Sequence, residues 1–327
     1  MCGYFSILNA KNVFLKQDFQ YLIRNKRNLI YLIHIFFIFA SNENDMKTGL
    51  VLEGGGMRGL FTTGIIDTFL DEGITVDGMI GVSAGACFGC NFKSRQRGRA
   101  LRYNILLKDD PKYMGLRCMI KTGEFIGSEY AYHYVPKYID YFNRESFKAN
   151  PMEFTVVCTD IETGEPVYKK IEEVSDYTLD WIRASASLPL VSKPVCLDGY
   201  KLLDGGMSDA IPLKYWQSQG YEKNIVVLTQ PREFRKKRTG MIPLFNLLMR
   251  KYPNVIEAMK HRHEMYNDEL DYILVQEKLG NTLLIFPPYR LDIGRIEQDK
   301  TKMIKVRQLG IDTAQAMMKE IKDFLSK

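Results

Sequence analysis

Gly49-Leu50-Val51-Leu52-Glu53-Gly54-Gly55-Gly56-Met57-Arg58-Gly59 and, two dozen residues on, Gly78-Met79-Ile80-Gly81-Val82-Ser83-Ala84-Gly85 decide how this chain folds. Each stretch begins with an apolar run that reads as a buried strand and ends in a glycine-rich turn. Each turn opens a segment that reads as a helix: Phe61 to Glu72 after the first, Ala84 to about Arg95 after the second. Two strand-turn-helix units in succession predict an α/β layered protein with a mostly parallel central sheet.

The second turn has the form of a nucleophile elbow, with Ser83 on a tight bend and Gly81 and Gly85 letting strand and helix approach without a Cβ clash. The first turn reads as a row of free backbone N–H groups at a helix start, over Gly54, Gly55, Gly56, Met57 and Arg58, with Gly59 closing it. That arrangement suits an oxyanion. Together the turns point to a serine acyl hydrolase. Arg58 strengthens the reading, because a cation in the first turn of a helix opposes the macrodipole. An anionic substrate group, or a carboxylate held nearby, gives it a purpose; otherwise it is an arginine reaching sideways into solvent.

Outward from the turns, Phe154–Cys158 reads as a strand that Pro166–Lys169 pairs back on, and Asp176–Ser187 as a helix stopped by Pro189. Val195–Leu197 and Tyr200–Leu203 form a hairpin on Asp198-Gly199, which suits a type I′ turn. Pro212–Gln219 reads as a helix and Asn224–Thr229 as another buried strand. Residues 97–150 read as helices and loops laid over the sheet. The 327 residues, 46% hydrophobic, allow one large domain with an appendage or two small ones.

A serine needs a base. The four histidines are poor candidates. His34 is in the leader and His133 in a tyrosine-rich segment. His261 and His263 lie two apart on a charged helix starting near Asn254 and read as surface residues. His263-Glu264-Met265-Tyr266-Asn267 fails the zinc pattern H-E-x-x-H at its last position. Asp204 is the better base. It ends a strand and precedes Gly205-Gly206, which permit close approach, whereas Asp198 sits in a turn where Asp is structural. A partly desolvated pocket would raise its pKa modestly, as a general base needs.

Gly54–Gly59, Gly81–Gly85 and Asp204-Gly205-Gly206 match, in order, three motifs of the patatin-like phospholipase family, which residues 46–230 resemble. Arg183-Ala184-Ser185-Ala186-Ser187-Leu188-Pro189 is similar to that family's helix leading to a proline. The resemblance implies a three-layer fold and a lipid acyl hydrolase working through an acyl-enzyme. Ser83 is then nucleophile, Asp204 its base and the glycine turn the oxyanion hole, with Gly59, Gly81, Ala84, Gly85, Gly205 and Gly206 supporting them. No cofactor or metal is called for. Residues 231–327 resemble the mainly helical C-terminal extension of a bacterial subgroup.

Two rivals remain. Gly54–Gly59 also satisfies G-x-G-x-x-G, with Asp77 at the distance of a ribose contact, as in a dinucleotide-binding protein. A catalytically silent scaffold on the same fold is the other. A lipid or ester substrate is the expected partner. The net charge of +6 is mild, but basic residues cluster at 93–102 and 232–238. These read as solvated faces or as contacts with an anionic membrane surface. Met241–Met249 reads as a core-packing helix, or as a lid or membrane-contact element. No nucleic-acid module is present, and oligomeric state is left open. Six scattered cysteines, including Cys87-x-x-Cys90, suit packing in a reducing, cytoplasmic compartment rather than a disulfide framework or a metal site. Residues 1–45 read as a leader. Translation starting at Met46, or a dispensable segment, ranks ahead of a membrane anchor and then a signal peptide.

Overall fold

The computed structural model describes residues 46–326, of which 47 onward form one compact unit. The leader, with His34 and Cys2, lies outside the described residues.

An eight-stranded sheet runs through the molecule. Its parallel centre is β1 (Thr48–Leu52), β2 (Gly78–Val82) and β3 (Glu153–Asp160), with β7 (Lys223–Val227) and β8 (Thr282–Ile285) continuing beyond β1. β4 (Pro166–Lys170), β5 (Val195–Leu197) and β6 (Tyr200–Asp204) are antiparallel, giving the order β5-β6-β3-β2-β1-β7-β8 with β4 on β3. The central strands are buried on both faces, as their apolar runs require. Strand alternation sorts them into two cores. Leu50, Leu52, Met79 and Phe154 face the layer of α1 (Leu60–Asp71), α2 (Ala84–Lys93), α6 (Asp176–Ser185) and α10 (Lys300–Ser326). Val51, Ile80 and Val226 face α7 (Leu213–Ser218) and α9 (Pro253–Leu279). Between α2 and β3 come α3 (Arg99–Leu107), α4 (Leu116–Thr122), a π-helical segment at Tyr130–Ile139 and α5 (Arg144–Ala149). The expected three-layer α/β fold is therefore present, and the Asp198-Gly199 turn has positive φ at both residues (50° and 86°), as a type I′ turn requires.

Residues 231–326 are built into this unit rather than appended to it. β8, four residues that the sequence reading passed over, extends the sheet beside β7. α10 crosses α1 so closely that a Cβ on Gly310 would overlap the Phe61 carbonyl oxygen and lie 3.1 Å from the Gly64 Cα. Arg307 seals the crossing by donating to the buried Asp67 carboxylate from Nε at 2.9 Å and Nη2 at 2.6 Å.

The basic run at 93–102 is spent on structure. Lys93 donates to the carbonyls of Asn150 and Met152, while Arg99 and Arg102 converge on Asp140. Met241–Met249 departs from the core-packing expectation. Only Phe245 of α8 (Ile242–Leu248) is fully buried, among Ile161, Leu203 and Met207. Leu247 and Leu248 are 68% and 58% exposed, because a seven-residue helix with one anchor cannot turn its whole apolar run inward. Among the described residues no helix is long and apolar enough to cross a membrane.

Gly310→Val should wedge α10 off α1, since backbone on both sides leaves no room to relax. A loss of about 3 kcal/mol is expected, the upper end for an overpacked core. It is read as a lowered urea midpoint with an unchanged slope.

Candidate active site

Strand register alone assembles the site. Leu52 pairs with Gly81, Val82 with Val157, and Cys158 with Asp204. Gly54, Ser83 and Asp204 thus fall in one line across the carboxyl ends of the parallel strands, where α/β sheets place ligands. A Cβ on Gly54 would sit 2.9 Å from the Ser83 Cβ.

Ser83 occupies φ 54°, ψ −119°, a conformation costing an L-residue about 1–3 kcal/mol. The surroundings force it. Gly85 passes so near β1 that a Cβ would overlap the Leu52 carbonyl, and a Cβ on Gly81 would lie 2.7 Å from the Ala86 nitrogen. Gly59 faces the Ala84 methyl at 3.0 Å by the same measure. The Ser83 N–H donates to Ser185 Oγ at 2.9 Å, and Ser185 Oγ donates to the Val157 carbonyl at 2.6 Å. The Arg183–Pro189 segment thus pins the bend from the neighbouring helix.

Asp204 is buried and held on three sides. Its N–H donates to the Ser187 carbonyl at 2.8 Å, its own carbonyl accepts from Thr159 Oγ1 at 2.9 Å, and its Oδ1 accepts the Gly206 N–H at 2.8 Å. Gly205 fits where any Cβ would overlap the Val157 carbonyl. Oδ2 is buried with no partner in hydrogen-bonding geometry. Burial pushes the carboxyl above its usual range, opposed by the Ser83 hydroxyl, the Arg262 charge, the Gly206 N–H and Arg295.

The glycine turn differs from the sequence expectation in two respects. It forms a short 3-10 turn, Gly56–Gly59, before α1 begins at Leu60. And two of its five N–H groups are engaged: Met57 donates to the Arg295 carbonyl at 3.0 Å, Arg58 to the Gly55 carbonyl at 3.3 Å. The N–H groups of Gly54, Gly55 and Gly56 find no acceptor among the described residues. Gly56 has φ 59° and lies against the Arg295 backbone, a double reason for glycine there.

Arg58 does not reach into solvent. Its Nε is buried and unpartnered, and burial lowers its pKa while Glu53 pulls it back up. Glu53, immediately before the glycines, accepts from the Thr229 N–H (2.6 Å), Thr229 Oγ1 (3.0 Å) and the Tyr266 hydroxyl (2.8 Å). Asp77 cannot serve a ribose at this site. It lies at the opposite end of the strands, accepting from the Thr48 N–H and hydroxyl at 2.7 and 2.8 Å.

Among the described residues no histidine lines the cavity at the site. His261 is exposed between Glu257 and Glu264, His263 is half-buried, and His133 contacts Asp180 at 3.0 Å. Cys90 is buried and Cys87 half-buried at the cavity wall, and desolvation pushes both thiols up to about 12. Cys196 is exposed.

Sequence reasoning missed Glu53, Lys236, Arg262, Tyr266 and Arg295, all of which line the cavity. Arg262 Nε donates to the Gly206 carbonyl at 2.5 Å, tying α9 to the Asp204 turn. One signal was available: Arg262 and Tyr266 are four apart, hence on one helix face. The cavity wall is mixed. Phe88, Phe125, Ile126, Val135 and Ile182 give it apolar surface, and Arg99, paired with Asp140, also lines it. Arg58, Lys236, Arg262 and Arg295 line it as well, close enough for their charges to act on one another.

A family model described as Patatin-like phospholipase matches residues 50–215, and one described as Domain of unknown function (DUF6363) matches 252–326. Over 273 residues the chain is 29% identical to the Uncharacterized protein YjjU of Escherichia coli K12, covering 74% of this chain and 68% of that protein. It is 28% identical over 187 residues to Lysophospholipase nte1 of Aspergillus oryzae, covering 53% of this chain but 11% of that much longer protein. Among solved structures, VipD from Legionella pneumophila matches at 12% identity with a TM-score of 0.44, over 84% of this chain and 67% of that one, and no functional reading rests on it.

The Asp204 carboxyl should titrate above the ordinary aspartate value of about 3.9. Because Arg262 favours the charged form, Arg262→Gln should move that titration higher still. Carbon-detected NMR of the aspartate side chains across a pH series reads both shifts.

Proposed function

This chain belongs to the patatin-like phospholipase family, which makes it a carboxylic ester hydrolase of the lipid acyl hydrolase class, and from that premise we propose that Ser83 and Asp204 work as a catalytic dyad. The observation that carries the proposal is the unpartnered, buried Oδ2 of Asp204 beside the strained Ser83 bend.

Asp204 takes the hydroxyl proton as Ser83 Oγ attacks the ester carbonyl. The negative charge moves onto the carbonyl oxygen, facing the N–H groups of Gly54, Gly55 and Gly56 in a fixed backbone. The tetrahedral intermediate collapses, the alcohol leaves with the proton from Asp204, and the acyl group stays on Ser83. Asp204 then deprotonates water, which attacks the acyl carbonyl and frees the acid. The raised pKa of Asp204 suits it to both transfers. Residues 46–230 carry this chemistry, and 231–327 close the cavity with Lys236, Arg262, Tyr266 and Arg295.

The apolar wall of the cavity fits an acyl chain, and the lysophospholipase relatives support a single-chain lipid ester as substrate class. The exposed face of α8, flanked by exposed Arg238, Arg250 and Lys251, fits the surface of an anionic bilayer.

Ser83→Ala and Asp204→Asn should each lower kcat/KM on p-nitrophenyl octanoate by about 10³-fold or more, the scale seen when one member of a catalytic unit is lost. A His261→Ala/His263→Ala variant should retain activity. Hydrolysis that survives Ser83→Ala sinks the dyad. Separately, Leu247→Asp/Leu248→Asp should reduce co-sedimentation with phosphatidylglycerol vesicles severalfold, and unchanged co-sedimentation would remove α8 from the membrane-contact reading.

A further inference from the structure

Four cations that line the cavity outnumber the carboxylates beside them. Arg58, Lys236, Arg262 and Arg295 face it together with two carboxylates, Glu53 and Asp204. Glu53 acts on Arg58 and Lys236 and Asp204 on Arg262, which leaves two positive charges in excess. Among the described residues none of the four makes an ion pair, although the surface arginines nearby do, Arg232 with Glu277 and Arg235 with Asp271. Arg58, Lys236 and Arg262 are half-buried and Arg295 is exposed; withdrawing cations from water with too few counter-charges is costly, so such a cluster is poor design for stability alone.

Their placement is also specific. Arg262 is fixed by its bond to the Gly206 carbonyl, one turn from Asp204. Lys236 leaves the exposed basic run to stand 3.9 Å over the Tyr266 ring, its backbone N–H donating to Asn267 Oδ1. There, burial and the charge of Arg262 push its ammonium pKa down to about 7. The buried Nε of Arg58 has no acceptor. The Arg295 backbone is clipped to the glycine turn at Met57. The cations come from four separate segments and are grouped closely enough that their charges act on one another, while Phe88, Phe125, Ile126, Val135 and Ile182 give the cavity apolar wall.

We propose that Arg58, Lys236, Arg262 and Arg295 form a head-group subsite for a phosphate on the alcohol side of the ester. The acyl chain lies along the apolar walls, the carbonyl at Ser83 and the phosphate among the cations. Arginine forks suit phosphate oxygens, and a net-negative head group supplies the charge that the protein lacks there. A phosphocholine head brings its own cation and a neutral glycerol brings no charge, so both fit less well. Three of the four cations belong to residues 231–327, which gives that segment the role of choosing the substrate. The inference rests on the dyad reading for which side of Ser83 is the alcohol side.

The test compares three octanoyl esters as monomers below their micellar concentrations: 1-octanoylglycerol 3-phosphate, 1-octanoylglycerol and 1-octanoylglycerophosphocholine. Wild-type kcat/KM should favour the phosphate ester at least tenfold over both others. Lys236→Met/Arg295→Met should bring that ratio down about tenfold, whatever happens to absolute rates. In parallel, calorimetry on the full-length Ser83→Ala chain should show the phosphate ester binding at least tenfold more tightly than the glycerol ester. Equal kcat/KM on all three esters would overturn the subsite and leave the dyad standing. Binding preference in Ser83→Ala without hydrolysis of any ester by wild type would do the reverse. A preference undiminished in the double variant would also overturn the assignment.

Discussion

The backbone bend at Ser83 is the constraint on which the other features of this site depend. A serine at φ 54° returns to a relaxed conformation unless its neighbours forbid it. Two of the neighbours are backbone, the Leu52 carbonyl beneath Gly85 and the Ala86 nitrogen beside Gly81, and a third is the Ser185 hydroxyl on the Ser83 N–H. The backbone neighbours cannot yield without moving a central strand or helix. Residues with side chains at Gly54, Gly81 or Gly85 would push β1, β2 and α2 apart and relax the bend. The glycines are therefore less a source of flexibility than a means of packing main chain on main chain until one strained geometry is left.

The same economy holds for Asp204. Its carboxyl shares a line with Ser83 because β6 runs antiparallel to β3 and ends one pair beyond Val157. Burial raises its pKa, and the opposing influences are first the Ser83 hydroxyl and then Arg262, on a helix far along the chain. The carboxyl is tuned by parts of the sequence that have no local relation to each other.

That explains what the sequence revealed and what it hid. Gly54–Gly59, Ser83 and Asp204 are legible because each is a local anomaly: glycines where a strand meets a helix, a serine between them, a carboxylate at the end of an apolar run. The layers are legible because β1, β2, β3 and β7 are short apolar runs broken by turns. β8 was not, since Thr282–Ile285 is four residues long and gains its meaning only from lying beside β7. Lys236, Arg262 and Arg295 look like ordinary surface charges in a basic, polar stretch, and only tertiary placement brings them to the cavity wall. α8 misled in the opposite sense. Its apolar run suggests burial, yet the cluster around Leu203 and Met207 takes in Phe245 fully and Ile242 and Met249 only in part. Met57 and Arg58 lost their free N–H groups partly to a loop more than two hundred residues away, which no local reading of the turn reaches.

The crossing of α1 and α10 has a consequence for how the molecule comes into being. The ion pair between Asp67 and Arg307 spans 240 residues, so the first helix of the sheet waits for the last before its outer face is covered. Contacts of such long range are slow to close and leave apolar surface open meanwhile. On a ribosome, Ser83 and Asp204 emerge well before Arg262, Arg295 and α10. A partly synthesised chain therefore carries Ser83 and Asp204 without the wall that closes their pocket, and the activity proposed for them is coupled to synthesis of α9 and α10.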